Sequence, residues 1–303
     1  MKRLFLLLMS CCLTSIVVAA TEVVDGITWT YSISKGNAII TKADDVNEDV
    51  KIPAVLGGYP VTTIGSGTFM LCRIKSITIP TSVTTIMTGA FTFCPSLESV
   101  MIPESVQVIE TGAFAKCDKL DISVDSKNKN YILHEGALFD KTMTRLLRAP
   151  REITTYTIPS SVTTIGAAAF CNNLNSVTIP ASVKTIDIGA FEWCSLKNVT
   201  LDPQNPNYTV QDGVLFNKDM TLLLYYFKGR EVLQREKYKI PLTVTTIGKG
   251  AFTSCMRLTS VTIPEGVKSI GSGAFFNCWN LTSITIPKSI TSIGDFSFDS
   301  CRS

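Results

Sequence analysis

An interval of 23 residues governs the C-terminal part of this 303-residue chain. Pro241, Pro264 and Pro287 stand that far apart, and so do Phe252, Phe275 and Phe298, and Cys255, Cys278 and Cys301. A fixed period of this size marks a solenoid, because one unit cannot bury its apolar face alone and is stable only when stacked on neighbours. Earlier units start near Pro80, Pro103, Pro159 and Pro180. A first unit runs from Ile52-Pro53 and reaches phase at Val61-Thr62-Thr63-Ile64-Gly65, so the solenoid is expected over 52–303.

Within a unit, Leu258-x-x-Val261-x-Ile263 and Leu281-x-x-Ile284-x-Ile286 place branched apolar residues at period two, the pattern of a strand with one buried face. Pro264 and Pro287 end these strands, since proline donates no ladder hydrogen bond. Val267-x-x-Ile270-Gly271 predicts a second short extended piece. Ala274-Phe275-x-x-Cys278-x-x-Leu281 has helical spacing and predicts one or two turns of helix. The expected fold is therefore a repeat solenoid, mainly β, with short helical turns.

Two steps between prolines are far longer than the rest, Pro103 to Pro159 and Pro180 to Pro241. They contain matching inserts. Asn128-Lys129-Asn130-Tyr131 precedes Glu135-Gly136-Ala137-Leu138-Phe139-Asp140, and Asn205-Pro206-Asn207-Tyr208 precedes Asp212-Gly213-Val214-Leu215-Phe216-Asn217. Each reads as a strand, a polar turn and a returning strand. The extended units, about 121–157 and 201–239, are either binding loops on one face or simply longer coils.

The first twenty residues read as a signal peptide: Lys2 and Arg3, an apolar run from Leu4 to Val18, and small residues Ala19 and Ala20 before Thr21. A competing reading is a lipoprotein box ending at Cys11. Either one sends the chain out of the cytoplasm, secreted or on the cell surface, and no later run is apolar and long enough for a membrane helix. Residues 21–51 differ in texture from the repeat, with Ile27 to Ile33 alternating before Lys35-Gly36-Asn37, and are expected to form a β-hairpin capping the first coil. The chain stops inside a unit, at Cys301-Arg302-Ser303, which raises self-association through the last coil or truncation as expectations.

Charge excludes some partners. Without Lys2 and Arg3 the chain carries 26 basic against 25 acidic side chains, so it offers no electrostatic footprint for nucleic acid. Cys72, Cys94, Cys117, Cys194, Cys255, Cys278 and Cys301 each follow a repeat phenylalanine by three residues. That column reads as small buried thiols filling one recurrent slot rather than as a disulfide framework or a zinc site. The single histidine, His134, lies in the first insert and reads as a solvated polar residue. No phosphate loop, nucleophile elbow or dinucleotide fingerprint is present in a suitable context. No catalytic residue, metal site or cofactor is expected.

The unit Leu-x-x-Ile-x-Ile-Pro-x-x-Val-x-x-Ile-Gly-x-x-Ala-Phe-x-x-Cys resembles the BspA-like leucine-rich repeat family of bacterial surface and secreted proteins, from roughly Ile52 to Cys301. The resemblance implies a solenoid that binds proteins, with adhesion to host matrix or to other bacteria among its roles, and no catalytic motif. On the residues themselves, the outward strand positions are short hydroxyls: Ser76, Thr78, Ser176, Thr178, Thr200, Ser260, Thr262, Ser283 and Thr285. They form the candidate ligand-binding face for an extracellular protein or glycan, unless they are simply good soluble strand residues. Trp193, Tyr225, Tyr226 and Trp279 are candidate aromatic anchors for a partner, or else pack on neighbouring coils. A spacer module of the cell surface without a ligand is the competing reading.

Overall fold

The computed structural model describes residues 19–46, 48–151, 153–170, 174–191, 194, 196–227 and 236–301. The expected leader lies almost wholly outside the described residues. Among the described residues an ordinary coil contributes one strand to a front face, a two-residue strand to a rear face, and a run of turns on a third side.

The front strands lie parallel and in register. They form a four-stranded sheet from Asp49–Lys51 to Asp121–Val124, a three-stranded sheet from Thr155–Thr157 to Asn198–Leu201, and another from Glu236–Lys239 to Ser283–Thr285. Alternation works as the sequence predicts: Val100, Val177 and Val261 point into the core while their neighbours face out. After the strands of ordinary coils the proline carbonyl closes a turn, as in Val83 N–H to Pro80 O at 3.0 Å and Val267 N–H to Pro264 O at 3.1 Å; before the inserts Asp125 and Asp202 do so. The rear strands, such as Thr246–Ile247 and Ser269–Ile270, stack in parallel in the same way.

The turn side corrects one expectation, because it contains no helix among the described residues. Gly67 and Leu71 have φ of 64° and 65°, and Gly273 and Asn277 have 61° and 60°, so every fourth residue is left-handed and an α-helix cannot propagate. The chain makes successive β-turns instead, such as Cys72 N–H to Phe69 O at 3.1 Å. A helix would consume its N–H groups internally. Here Phe69 N–H reaches Ala90 O of the next coil at 2.8 Å, and Leu71 N–H reaches Thr92 O at 3.0 Å. This third ladder between coils gains lateral hydrogen bonds that a helix would forgo.

Between the faces runs a column of rings. Phe69, Phe91 and Phe114 stack at 5.2 and 5.3 Å, Phe170, Phe191 and Tyr225 at 5.1 and 4.9 Å, and Phe252, Phe275 and Phe298 at 4.8 and 5.3 Å. The cysteine column runs beside it as free thiols. Each of several thiols donates to the carbonyl of a ring residue one coil back: Cys94 to Phe69 O at 3.0 Å, Cys117 to Phe91 O at 2.9 Å, and Cys278 to Phe252 O at 3.0 Å. Cysteine suits the slot because it is a compact hydrophobe that can still donate weakly.

The buried side chains do not form one continuous core. They divide into three blocks, with Phe114, Phe191 and Phe275 in different ones. The partitions are the central strands of the two inserts. Ala137–Asp140 sends Leu138 into the first block and Phe139 into the second; Val214–Asn217 sends Leu215 into the second and Phe216 into the third. A strand with both faces buried necessarily separates what lies on either side.

At the N-terminus three strands form the cap, Ala20–Val24, Ile27–Ser34 and Asn37–Asp44, where the sequence predicts two. The first two turn at Asp25-Gly26 and the next pair at Lys35-Gly36, both with positive φ at the two central residues, as a tight hairpin needs. The last cap strand then pairs in parallel with Tyr59–Ile64 and starts the rear ladder. Trp29 seals the cap edge-on against Phe69 at 6.1 Å.

Candidate functional site

The front face aligns the predicted hydroxyls in rows. Thr157, Thr178 and Thr200 are directly opposite one another, as are Thr155, Ser176 and Asn198. In the last sheet Lys239, Thr262 and Thr285 form one row and Lys237, Ser260 and Ser283 the other. In the first sheet Thr78 is opposite Lys51, and Ser76 lies between Asp49 and Ser99. The hydroxyl array is therefore broken into three short patches, two of them edged by charge. Ser76 is already engaged, donating to Asp49 Oδ1 at 2.6 Å, and Asn198 Nδ2 reaches Ser176 Oγ at 3.4 Å.

Two of the four predicted anchors belong to the core. Tyr225 is 0% exposed, stacks on Phe191, and its hydroxyl lies 2.8 Å from the Cys194 thiol. Tyr226 is 2% exposed, packs on Phe252 and Tyr238, and donates to Glu236 Oε2 at 2.9 Å. Burial, followed by that bond to Glu236, drives the Tyr226 pKa upward. Both sit where the ring column needs a ring, which is why they face inward. Trp279, 43% exposed, remains at the surface. Trp193 lies outside the described residues.

The inserts turn out to extend the coils rather than hang from them. Asn128 plugs the preceding coil: its Nδ2 donates to Pro103 O at 2.7 Å and Val106 O at 3.1 Å, while its Oδ1 accepts from the N–H groups of Asn130 and Tyr131. Asn205 repeats this with Pro180, Val183, Asn207 and Tyr208. The following tyrosine stands in for a missing rear strand. Tyr131 Oη accepts from Ile109 N–H at 2.7 Å and Tyr208 Oη from Ile186 N–H at 2.8 Å. The Asn-x-Asn-Tyr signature is thus a splice between an ordinary coil and a hairpin, satisfying backbone groups that would otherwise be buried unpaired.

The first insert also shortens the turn side. An ordinary unit spends residues 87–98 between rear and front strands, whereas the first extended unit spends only 149–154. The neighbouring coils close over the gap, so Ala115 and Ala168, a whole unit apart, pack together. On the turn side Phe93 shares a cleft of about 420 Å³ with Lys249, Phe276, Asp295 and Phe296. Met70, Leu71, Ile188 and Phe296 are exposed on that side.

His134 ends the exposed side of the strand Tyr131–His134. Among the described residues no group of three His, Cys, Asp or Glu side chains is placed to hold a metal ion, and no helix is long and apolar enough to cross a membrane.

No curated protein matches this chain in sequence. Among solved structures it is similar to the pneumococcal vaccine antigen PcpA, at 19% identity and a TM-score of 0.40, over 92% of this chain and 78% of that one. It is also similar to a leucine-rich repeat protein of Eubacterium ventriosum, at 22% and 0.43, over 94% and 95%. A leucine-rich cell surface protein of Faecalibacterium prausnitzii aligns at 26% and 0.41, over 93% and 86%. The sequence model of the BspA-type leucine-rich repeat region matches six copies over residues 50–150, 149–217 and 224–303. With the stacked coils, the front strands and the Phe and Cys columns in place, this chain belongs to the BspA-type leucine-rich repeat family.

Proposed function

We propose that this protein is a non-enzymatic recognition module, exported by its N-terminal leader, that binds an extracellular protein or glycan through the front face. The observation that carries the reading is the register of Thr157, Thr178 and Thr200 and of Thr262 and Thr285 beside Lys239, which presents short hydroxyl side chains in straight rows. Rows about 4.8 Å apart on a rigid sheet cost little ordering on contact. Adhesion suits such a surface, since affinity then sums over many weak contacts. Support also comes from the family, in which solenoid coils are a scaffold rather than a source of catalytic groups, and from the cell-surface description of the Faecalibacterium relative.

The test replaces Thr178, Thr262 and Thr285 with Lys and measures binding to immobilised matrix proteins, bacterial surface proteins and glycans. Loss of binding with unchanged circular dichroism supports the reading. Unchanged binding moves the contact elsewhere, and the absence of any partner favours the spacer. Self-association through the last coil is a separate part of the proposal, and light scattering showing a monomer at all concentrations would remove it.

A further inference from the structure

The three front patches differ in charge. In the first sheet the charged groups are compensated: Lys75 Nζ lies 2.7 Å from Glu48 Oε2, Ser76 donates to Asp49 Oδ1, and Arg151 reaches Asp121 at 3.2 Å. The rows of the middle sheet, from Thr155 and Thr157 to Asn198 and Thr200, carry no charge. In the last sheet Lys237 and Lys239 are both exposed, and they point the same way because they stand two apart on one strand. Among the described residues neither makes an ion pair. The one carboxylate of these three strands, Glu236, is aligned with the buried Leu258, and its oxygens are taken by Arg257 at 3.0 Å and the Tyr226 hydroxyl at 2.9 Å. From the two ammonium groups the rows continue across the next coils as Ser260 and Ser283, and as Thr262 and Thr285.

Uncompensated positive charge on a surface otherwise made of hydroxyls narrows the partner. Protein interfaces concentrate their energy in aromatic and arginine anchors. No such anchor faces outward from these strands, whose one aromatic, Tyr238, packs inward on Tyr226. A polymer made of hydroxyls and acid groups is the complement: its acids gain a cation that is not already paired, and its hydroxyls find donors and acceptors at every coil, about 4.8 Å apart. We propose that the front face of the last sheet binds an acidic polysaccharide, its acid groups at Lys237 and Lys239 and its sugar hydroxyls along Ser260, Thr262, Ser283 and Thr285. Lysine suits this task because its ammonium is a point charge on a flexible stem, which receives an anion without the fixed fork geometry of arginine. The face is an open sheet, so each contact is weak and affinity builds with the number of sugar units engaged. This inference rests on the front-face reading and assigns the partner class at one of the three patches.

Binding of the full chain to immobilised hyaluronan, chondroitin sulfate and uncharged dextran tests this, with poly-glutamate as an acidic polymer that has no sugar. At least one of the acidic glycans should bind, more tightly than dextran and poly-glutamate, and its binding should fall as sodium chloride rises from roughly 0.05 to 0.5 M, because exposed charges are screened. Lys237→Gln combined with Lys239→Gln should weaken it about fivefold or more, the worth of two exposed charge contacts, with circular dichroism unchanged. Thr157→Ala combined with Thr178→Ala, in the middle patch, should leave it as it was. No binding of either acidic glycan, equal binding of dextran or poly-glutamate, full binding by the lysine variant, or an equal loss in the middle-patch variant would each overturn the proposal. The front-face reading survives any of these results, since a protein partner is detected separately by replacing Thr178, outside the patch.

Discussion

The two inserts share a backbone and differ in what they place on it. Both open with an asparagine plug and a tyrosine hydroxyl that ends a rear ladder, and both turn at a positive-φ pair, Glu135-Gly136 and Asp212-Gly213. In both, the acid of that turn lies over the tyrosine of the next front strand. Burial, and after it the charge of Glu135, raises the Tyr156 pKa; burial and Asp212 do the same to Tyr238. Beyond that the first insert carries Asp140, Arg145 and Arg148 where the second has the uncharged Asn217, Leu222 and Tyr225. The lesson is that the splice is built by the backbone and its Asn-Tyr pair, whereas the remaining side chains are free to differ between the copies.

The largest effect should come from the second insert. Tyr225→Ala removes a fully buried ring from the column and should cost about 3–5 kcal/mol in urea unfolding. The mirror change, Arg148→Phe, puts a ring at that position but removes the donor to Cys117 O and should cost about 1–3 kcal/mol. A larger loss there would mean that Arg148 holds the splice together. Next, Asn128→Ala and Asn205→Ala should each cost about 2–3 kcal/mol, because each leaves buried carbonyls and N–H groups without their side-chain partner. Their near equality is the prediction, and a marked difference would show that the two splices are not equivalent.

A smaller effect separates Asp140 from Asn217. Partial burial works to raise the Asp140 pKa, but hydrogen bonds from Arg145 N–H and from the Thr142 and Thr144 hydroxyls outweigh it and hold the carboxyl below its ordinary value. Its stabilisation is therefore present above the unfolded pKa, near 4, and is lost as pH falls through the lower folded value. Asn217 makes the equivalent bonds, to Leu222 N–H at 2.7 Å and Thr221 Oγ1 at 2.9 Å, without a titrating proton. Asp140→Asn should then flatten the acid limb of stability while changing little at neutral pH. Thermal melts between pH 2.5 and 7 measure this, and an unchanged acid limb would contradict it. The smallest effect concerns the thiols. Burial raises the pKa of Cys72 and Cys301, the two least buried members of the column. Alkylation of the folded protein at pH 7.5 should begin at these two and proceed slowly even there.

Much of this architecture is legible in the residues. The 23-residue spacing of Pro, Phe and Cys fixes the coil, and the alternation around Val261 and Ile284 fixes which side of the front strand is buried. The turn side misleads because Ala274-Phe275-x-x-Cys278 satisfies helical spacing and consecutive β-turns alike; only the hydrogen bonds to the next coil decide, and those are not local. Tyr225 and Tyr226 suggest surface anchors by residue type, yet their alignment with the phenylalanine column marks them as core. The same alignment sets Arg148 of the first insert where the second has Tyr225. The rows of hydroxyls follow from the register, but their division into three patches depends on the partition strands, which a single unit does not reveal.

Hydrogen exchange in sub-denaturing urea tests the partition most directly. Three cooperative blocks should open separately, with boundaries inside 131–148 and 208–226 where Leu138 and Phe139, and Leu215 and Phe216, face different cores. One global opening, or boundaries within the runs of ordinary coils, would contradict the account.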